Sequence, residues 1–311
     1  MSDPSPIACG VPQGSILGPL LFLLFINDMP DSIKFSNVKL YADDAVLYQA
    51  CDNVDETIRS QSLDNTNFIK WCAKNKLTIN NVKTKCMWLT GKLKLDPPEL
   101  PIKINGQILE YTNCFKYLGL WIDKQLSFEN HVTALQTKLK KQAKGVKKCR
   151  KYLSTYQSMF LYKTLLIPLL DYADIFYNSC NQSQLNQLQI IQNKIIRACH
   201  SKKEWTNTLE IHRKHHILTL NRRRKLHLAK WGFQLSLNKC NLKVYKRALR
   251  KNGKRLLEIP PSKFKFIDKS LSVSIPSIWN DLPEYIRLAK KKEEFVHLMT
   301  DWLWQDQLAT Q

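Results

Sequence analysis

The hydrophobic and polar positions divide the chain into recognisable elements. Ile16 to Ile26 is an unbroken apolar run except for Gly18-Pro19 near its start. It is too short to cross a bilayer, and proline is favourable in the first turn of a helix. The run therefore predicts a buried helix over 19–28, ended by Asn27-Asp28-Met29-Pro30. Val38 to Tyr48 places two apolar arms around Asp43-Asp44, which predicts two short strands with the aspartate pair at the tight turn between them. Val54, Ile58, Leu63, Phe68, Ile69 and Cys72 recur near helical spacing and predict an amphipathic helix over 53–75. Leu77–Asn80 and Cys86–Leu89 read as strands, and residues 91–100 read as a loop containing Pro97-Pro98. Ile102–Ile108 reads as a hairpin about Asn105-Gly106, a strong turn pair. Phe115–Asp123 reads as one further strand, with Gly119 where a ligand or another backbone can approach closely.

After residue 125 the pattern turns helical. Ser127 stands where a helix N-cap is expected, and Val132, Leu135, Leu139, Val146 and Leu153 form an apolar stripe beyond it. Lys138, Lys140, Lys141, Lys144, Lys147, Lys148, Arg150 and Lys151 fill the rest, with no acid between Val132 and Asp171. Such a run is either a solvated face or a phosphate-contacting one, and the absence of acids favours phosphate. Two more helices are predicted within 156–200, a basic one over 211–231, a basic loop over 250–270 and a folded tail over 275–303. The fold class is α+β, with three regions expected: 1–125, 126–200 and 201–311.

Charge sharpens this division. The 311 residues carry a net charge of +22 and 44% apolar residues, enough for a sizeable core. Residues 1–130 hold 13 basic and 14 acidic side chains, whereas 131–311 hold 35 and 12. An excess confined to the second part is the footprint of a polyanion, most simply nucleic acid. Arg222-Arg223-Arg224-Lys225, with Trp231, Phe233 and Tyr245 interleaved among cations, allows base stacking, although packing is the commoner fate of an aromatic. The nine cysteines are scattered and form no C-x-x-C pair, which fits a reduced intracellular compartment, cytoplasmic or nuclear. Cys199, His200, His212, His215 and His216 match no zinc spacing and read as solvated, nucleic-acid-facing surface. No secretory signal is visible.

Asp43-Asp44 carries the candidate chemistry. Adjacent carboxylates repel, so the pair is either a solvated surface turn or a turn beside a cation, for which hard oxygen ligands suit Mg2+. Upstream, Gly10-Val11-Pro12-Gln13-Gly14-Ser15 is a backbone that other groups can approach closely, and Gln13 offers an amide that both donates and accepts.

Taken together, several motifs resemble the reverse transcriptase of non-LTR (LINE-type, jockey-like) retrotransposons. They are Gly10–Ser15, Leu17–Phe22, Ile26-Asn27-Asp28 and Tyr41-Ala42-Asp43-Asp44. Trp71, Asn75, Leu77, Asn80, Lys83 and Thr84, then Phe115–Gly119, then residues 160–200 and Trp279–Pro283, continue the resemblance. It implies an RNA-directed DNA polymerase using two Mg2+ ions, an RNA template, a DNA primer and deoxynucleoside triphosphates. The expected architecture is a partial palm followed by an all-α basic thumb and a C-terminal region. No membrane and no stable protein partner are implied.

By resemblance, Asp43 and Asp44 are metal ligands and Lys83 lies near the triphosphate as a proton donor. Gln13, Gly14, Tyr41 and Ala42 line the nucleotide and template site, and Leu118 and Gly119 belong to the primer grip. Lys138, Lys140, Lys141, Lys144, Lys147 and Lys148 hold the duplex backbone. The family places a further catalytic aspartate upstream of the Gly10 loop, and this sequence contains no counterpart. The expectation is therefore a C-terminal portion, inactive alone, with a non-catalytic nucleic-acid-binding remnant as the alternative.

Overall fold

The computed structural model describes residues 10–12, 14–50, 53–90, 98, 101–200, 207–237, 248–249, 255–260 and 270–309. They fall into two compact units, one drawn from 1–88 and 94–113, the other from 89–93 and 114–311.

In the first unit, α1 (Gly18–Ile26) starts with Pro19 in its first turn, as expected. It is not buried, however. Leu20, Leu21, Leu23, Leu24 and Phe25 are all exposed, and only Gly18 and Ile26 are enclosed. An apolar run cannot reveal whether a second layer covers it, and none of the described residues does. The strands β1 (Asn37–Tyr41) and β2 (Asp44–Tyr48) pair antiparallel with Tyr41 opposite Asp44. The turn is thus Ala42-Asp43, and Asp44 opens the second strand.

The long helix α2 (Val54–Lys74) is capped by Asn53, whose side chain accepts from the Glu56 N–H at 3.3 Å. Its Ile58 packs with Ile104 of the short hairpin β3 (Lys103–Ile104) and β4 (Gln107–Ile108), and with Ile102 and Leu109 on either side of it. The strands expected over 77–80 and 86–89 do not form. Cys86 makes a single parallel bridge to Tyr111, and the side chain of Asn80 accepts from the Lys83 N–H at 3.1 Å, turning the chain instead. A strand needs a partner of matching length, and none of the described residues supplies one.

In the second unit, residues 114–123 form a hairpin rather than one strand, β5 (Cys114–Tyr117) and β6 (Leu120–Asp123). Leu118 and Gly119 both have positive φ, 46° and 83°, as a type I′ turn requires. The carboxylate of Asp123 then orders the loop that leads into α3 (Glu129–Cys149). It accepts from the N–H groups of Gln125 and Ser127 at 3.1 Å and of Phe128 at 2.8 Å. The N-cap position falls on Phe128, one residue after the expected Ser127, and the Ser127 hydroxyl accepts from the Glu129 N–H at 3.3 Å.

After α3 come α4 (Thr155–Leu161), a wider π turn over 162–166, α5 (Ile167–Asp171), α6 (Asp174–Tyr177) and α7 (Gln182–His200). Val132, Leu135, Leu139 and Val146 of α3 share a core with Leu185, Leu188, Ile191 and Ile195 of α7. The chain continues through α8 (Thr208–His215) and α9 (Leu220–Ser236). The pair β7 (Ala248–Leu249) and β8 (Leu256–Leu257) follows, then α10 (Leu271–Asn280), α11 (Glu284–Arg287) and α12 (Lys292–Ala309). A second core joins Phe233 of α9, Trp279 of α10 and Phe295 of α12, with the Phe233 and Phe295 rings stacked at 4.7 Å. Both the N–H and the carbonyl of Leu257 bond the Asn280 side chain, at 2.9 and 2.8 Å. The Trp279–Pro283 stretch is therefore part of the packing.

Helices and small antiparallel sheets make this an α+β protein. No helix among the described residues is long and apolar enough to cross a membrane.

Candidate metal and nucleic-acid site

Asp43 and Asp44 sit at the exposed tip of the β1–β2 hairpin. The turn is too tight for an ordinary L-residue, and Ala42 is driven to a φ of 50°. The hairpin is held at its base. Ser36 precedes β1, and its N–H donates to the buried carboxylate of Asp64 on α2 at 2.6 Å. Gln49 follows β2, and its amide donates to the Ser36 hydroxyl at 3.1 Å while its carbonyl accepts from Ser60 at 3.1 Å. Among the described residues neither Asp43 nor Asp44 forms an ion pair. Two unpaired carboxylates at neighbouring positions fit a hard divalent cation, but two ions ask for more oxygen ligands than these supply.

Tyr41 and Ala42 are exposed beside the pair, and Gly14, with a φ of 86°, lies in the loop before α1. Gln13 lies outside the described residues, as do Tyr245 and most of 91–100 and 250–270. Lys83 belongs to the same unit and is exposed on the turn after α2, with no ion pair to either aspartate.

In the second unit, Leu118 and Gly119 form the tip of the β5–β6 hairpin. The hydroxyl of Tyr172 donates to the Leu118 carbonyl, and a Cβ on Gly119 would meet the Tyr172 ring at 3.4 Å. The tip is therefore clamped. Lys138, Lys140, Lys141, Lys144, Lys147 and Lys148 are all exposed on α3, opposite its buried stripe.

The Arg222–Arg224 run of α9 is engaged in packing instead. Arg222 bonds Asp306 at 2.9 Å, Arg223 grips both oxygens of Asp171, and the buried Arg224 donates to Asn178 at 3.1 Å. Phe233 is buried, so it offers no stacking face. The cysteine–histidine group is only partly solvated, with His216 exposed. Cys199 and His212 are buried, and His200 and His215 approach to 2.8 Å between ring nitrogens. Burial, followed by the nearby Lys214 and Arg150, holds His200 below the ordinary histidine range. One cluster escaped notice in the sequence, because its members are dispersed. Ligand atoms of Asp171, Asp174 and His227 lie within 4.8 Å of one another. Arg223 already occupies Asp171, and His227 lies 2.6 Å from Asp174, so the cluster is satisfied as a bridge between α5, α6 and α9.

Residues 2–122 match the family model described as "Reverse transcriptase (RNA-dependent DNA polymerase)". The RNA-directed DNA polymerase from mobile element jockey of Drosophila funebris is 31% identical over 216 residues, covering 66% of this chain and 23% of the relative. The probable RNA-directed DNA polymerase from transposon X-element of Drosophila melanogaster is 31% identical over 219 residues, covering 67% and 23%. The Pol polyprotein from the type-1 retrotransposable element R1 2 of Nasonia vitripennis is 30% identical over 149 residues, covering 46% and 36%. No solved structure matches the chain.

An exposed Tyr-Ala-Asp-Asp hairpin lies inside the segment that fits this family model, and it gives the class: residues 2–122 are a reverse transcriptase segment. The relatives that the chain matches are named as RNA-directed DNA polymerases and a Pol polyprotein of mobile and retrotransposable elements. The chain spans 23% of the length of the jockey and X-element proteins.

Proposed function

We propose that this chain serves RNA-directed DNA synthesis, as part of the palm and the thumb of a non-LTR retrotransposon polymerase. The observation that carries this is the exposed, unpaired Asp43-Asp44 turn within the family-matched segment. Asp43 and Asp44 hold Mg2+ through their carboxylate oxygens, with further ligands supplied by other groups. Mg2+ held there would supply the charge stabilisation that an in-line displacement of pyrophosphate by the primer 3′ hydroxyl needs.

The chain's own residues do the rest. Gln13, Gly14, Tyr41 and Ala42 line the nucleotide and template. Lys83 delivers a proton to the departing pyrophosphate. Leu118 and Gly119, steadied by Tyr172, support the primer end. The exposed lysines of α3 hold the phosphates of the RNA–DNA duplex without reading its sequence.

The test replaces Mg2+ with Fe2+ and maps hydroxyl-radical cleavage of the backbone, which locates the metal independently of turnover. Cleavage centred on residues 41–46 and abolished by Asp43→Ala is expected. Cleavage that is absent there, or unchanged in the variant, overturns the metal assignment. Nucleic-acid binding that persists without any localised cleavage would favour a non-catalytic binding protein.

A further inference from the structure

We propose that the outward face of α4 is a stacking platform for single-stranded nucleic acid, separate from the duplex-holding face of α3. Tyr156 and Phe160 lie four positions apart on this helix and so share one face. They are 78% and 57% exposed, while Ser158, Met159 and Tyr162 turn inward. Tyr152, also 78% exposed, immediately precedes the helix, with the Lys151 ammonium 4.6 Å from its ring centre.

The platform is rigid. Ser154 and Gln157 form a reciprocal capping box, and Arg150 donates to the Leu153 carbonyl at 2.7 Å and to the Thr155 hydroxyl at 3.2 Å. That hydroxyl in turn donates to the His200 carbonyl at 3.2 Å, tying the start of α4 to the end of α7.

Charge selects the occupant. From Val132 to Leu170 the chain holds nine lysines and arginines and no acid, so a polyanionic backbone is attracted to this stretch. A purely apolar protein partner would leave those cations unmatched. A duplex would leave the rings unused, because its base faces are already stacked. A single strand offers phosphates to the cations and open base faces to the rings. This inference shares with the proposed function only the expectation of a nucleic-acid partner, and the duplex arm of the test below reports on α3 separately.

The full chain is titrated with fluorescent (dT)12 and (U)12 and with a 12-base-pair duplex of matched label. The double variant Tyr156→Ala/Phe160→Ala is expected to lose about 10-fold or more in single-strand affinity, given the usual worth of a stacked base. Its duplex affinity is expected to change less than about twofold. Tyr156→Phe, which keeps the ring, is expected to bind as the parent does. Phe160→Lys separates stacking from charge, since it removes a ring while adding a cation, and weaker single-strand binding is expected. Unchanged single-strand affinity in the double variant, equal losses on strand and duplex, or tighter single-strand binding by Phe160→Lys would each overturn the proposal.

Discussion

The carboxylate of Asp64 accepts the Ser36 backbone N–H at 2.6 Å, and it also accepts those of Lys34 at 2.8 Å and Phe35 at 3.0 Å. One buried aspartate on α2 thus satisfies three consecutive donors at the entrance to β1, and so fixes where the hairpin tip projects. Burial pulls the Asp64 carboxyl upward, but the hydrogen bonds together outweigh it and hold the pKa below the ordinary 3.8. The charged form is therefore the stabilising one. Its contribution is complete above about pH 4 and fades as the pH falls through the lowered folded value. Asp64→Asn is expected to destabilise by roughly 2–3 kcal/mol, because one amide cannot replace a charged acceptor of three donors. Denaturant melts at pH 7 and at about pH 3 check this: the gap between parent and variant should narrow at the lower pH.

Ala42 sits at the first central position of a two-residue hairpin turn with a φ of 50°, where glycine is the preferred residue. Ala42→Gly is expected to raise the stability of the unit containing the hairpin by about 0.5–1 kcal/mol, the relief of strain exceeding the extra chain entropy. A thermal melt followed on that unit checks it. Retention of alanine against that gradient is consistent with the proposed role of Ala42 beside the nucleotide.

Much of the fold near the candidate site was legible in the sequence, because its signals were local. Asn105-Gly106 makes its turn, and the apolar arms about Asp43-Asp44 pair in the expected order. What escaped depends on partners far away in the chain. Nothing in Leu118 itself announces a positive φ, and the Tyr172 hydroxyl that holds its carbonyl lies 54 positions away. Arg222, Arg223 and Arg224 look like a phosphate-binding run, yet each meets a partner 84, 52 or 46 positions away and serves packing. Asp64 gave no signal at all, since one aspartate on an amphipathic helix resembles any solvated one. The proposed metal ligands were conspicuous for the opposite reason: two adjacent acids in an apolar hairpin have no packing purpose.

The lysines of α3 make a separate prediction about salt. Each phosphate neutralised by a lysine lowers the slope of log affinity against log salt by about 0.9 on duplex DNA. Lys138, Lys141, Lys144 and Lys148 recur at helical spacing and are exposed. Changing all four to Gln should reduce the slope by up to roughly 3–4 and weaken binding to all duplex sequences alike. Fluorescence anisotropy across a salt series checks both. A loss confined to one sequence, or a slope that does not move, would rule out this helix as the duplex clamp.

Two glycines in helices give opposite forecasts from the same substitution. In α9, a Cβ on Gly232 would lie 3.0 Å from both Cβ and Cε3 of Trp279. That indole cannot retreat easily: it is fully buried, its N–H donates to the Arg255 carbonyl at 2.6 Å, and the Phe295 ring lies 5.7 Å away. Gly232→Ala would gain up to about 1 kcal/mol in helix propensity but lose about 1–3 kcal/mol to overpacking, so a net destabilisation is expected. In α3, a Cβ on Gly145 would meet nothing within 4 Å. Gly145→Ala should keep the propensity gain, up to about 1 kcal/mol. Denaturant unfolding of both variants separates packing from propensity, and a stabilised Gly232→Ala protein would mean that α9 and α10 do not meet as closely as described.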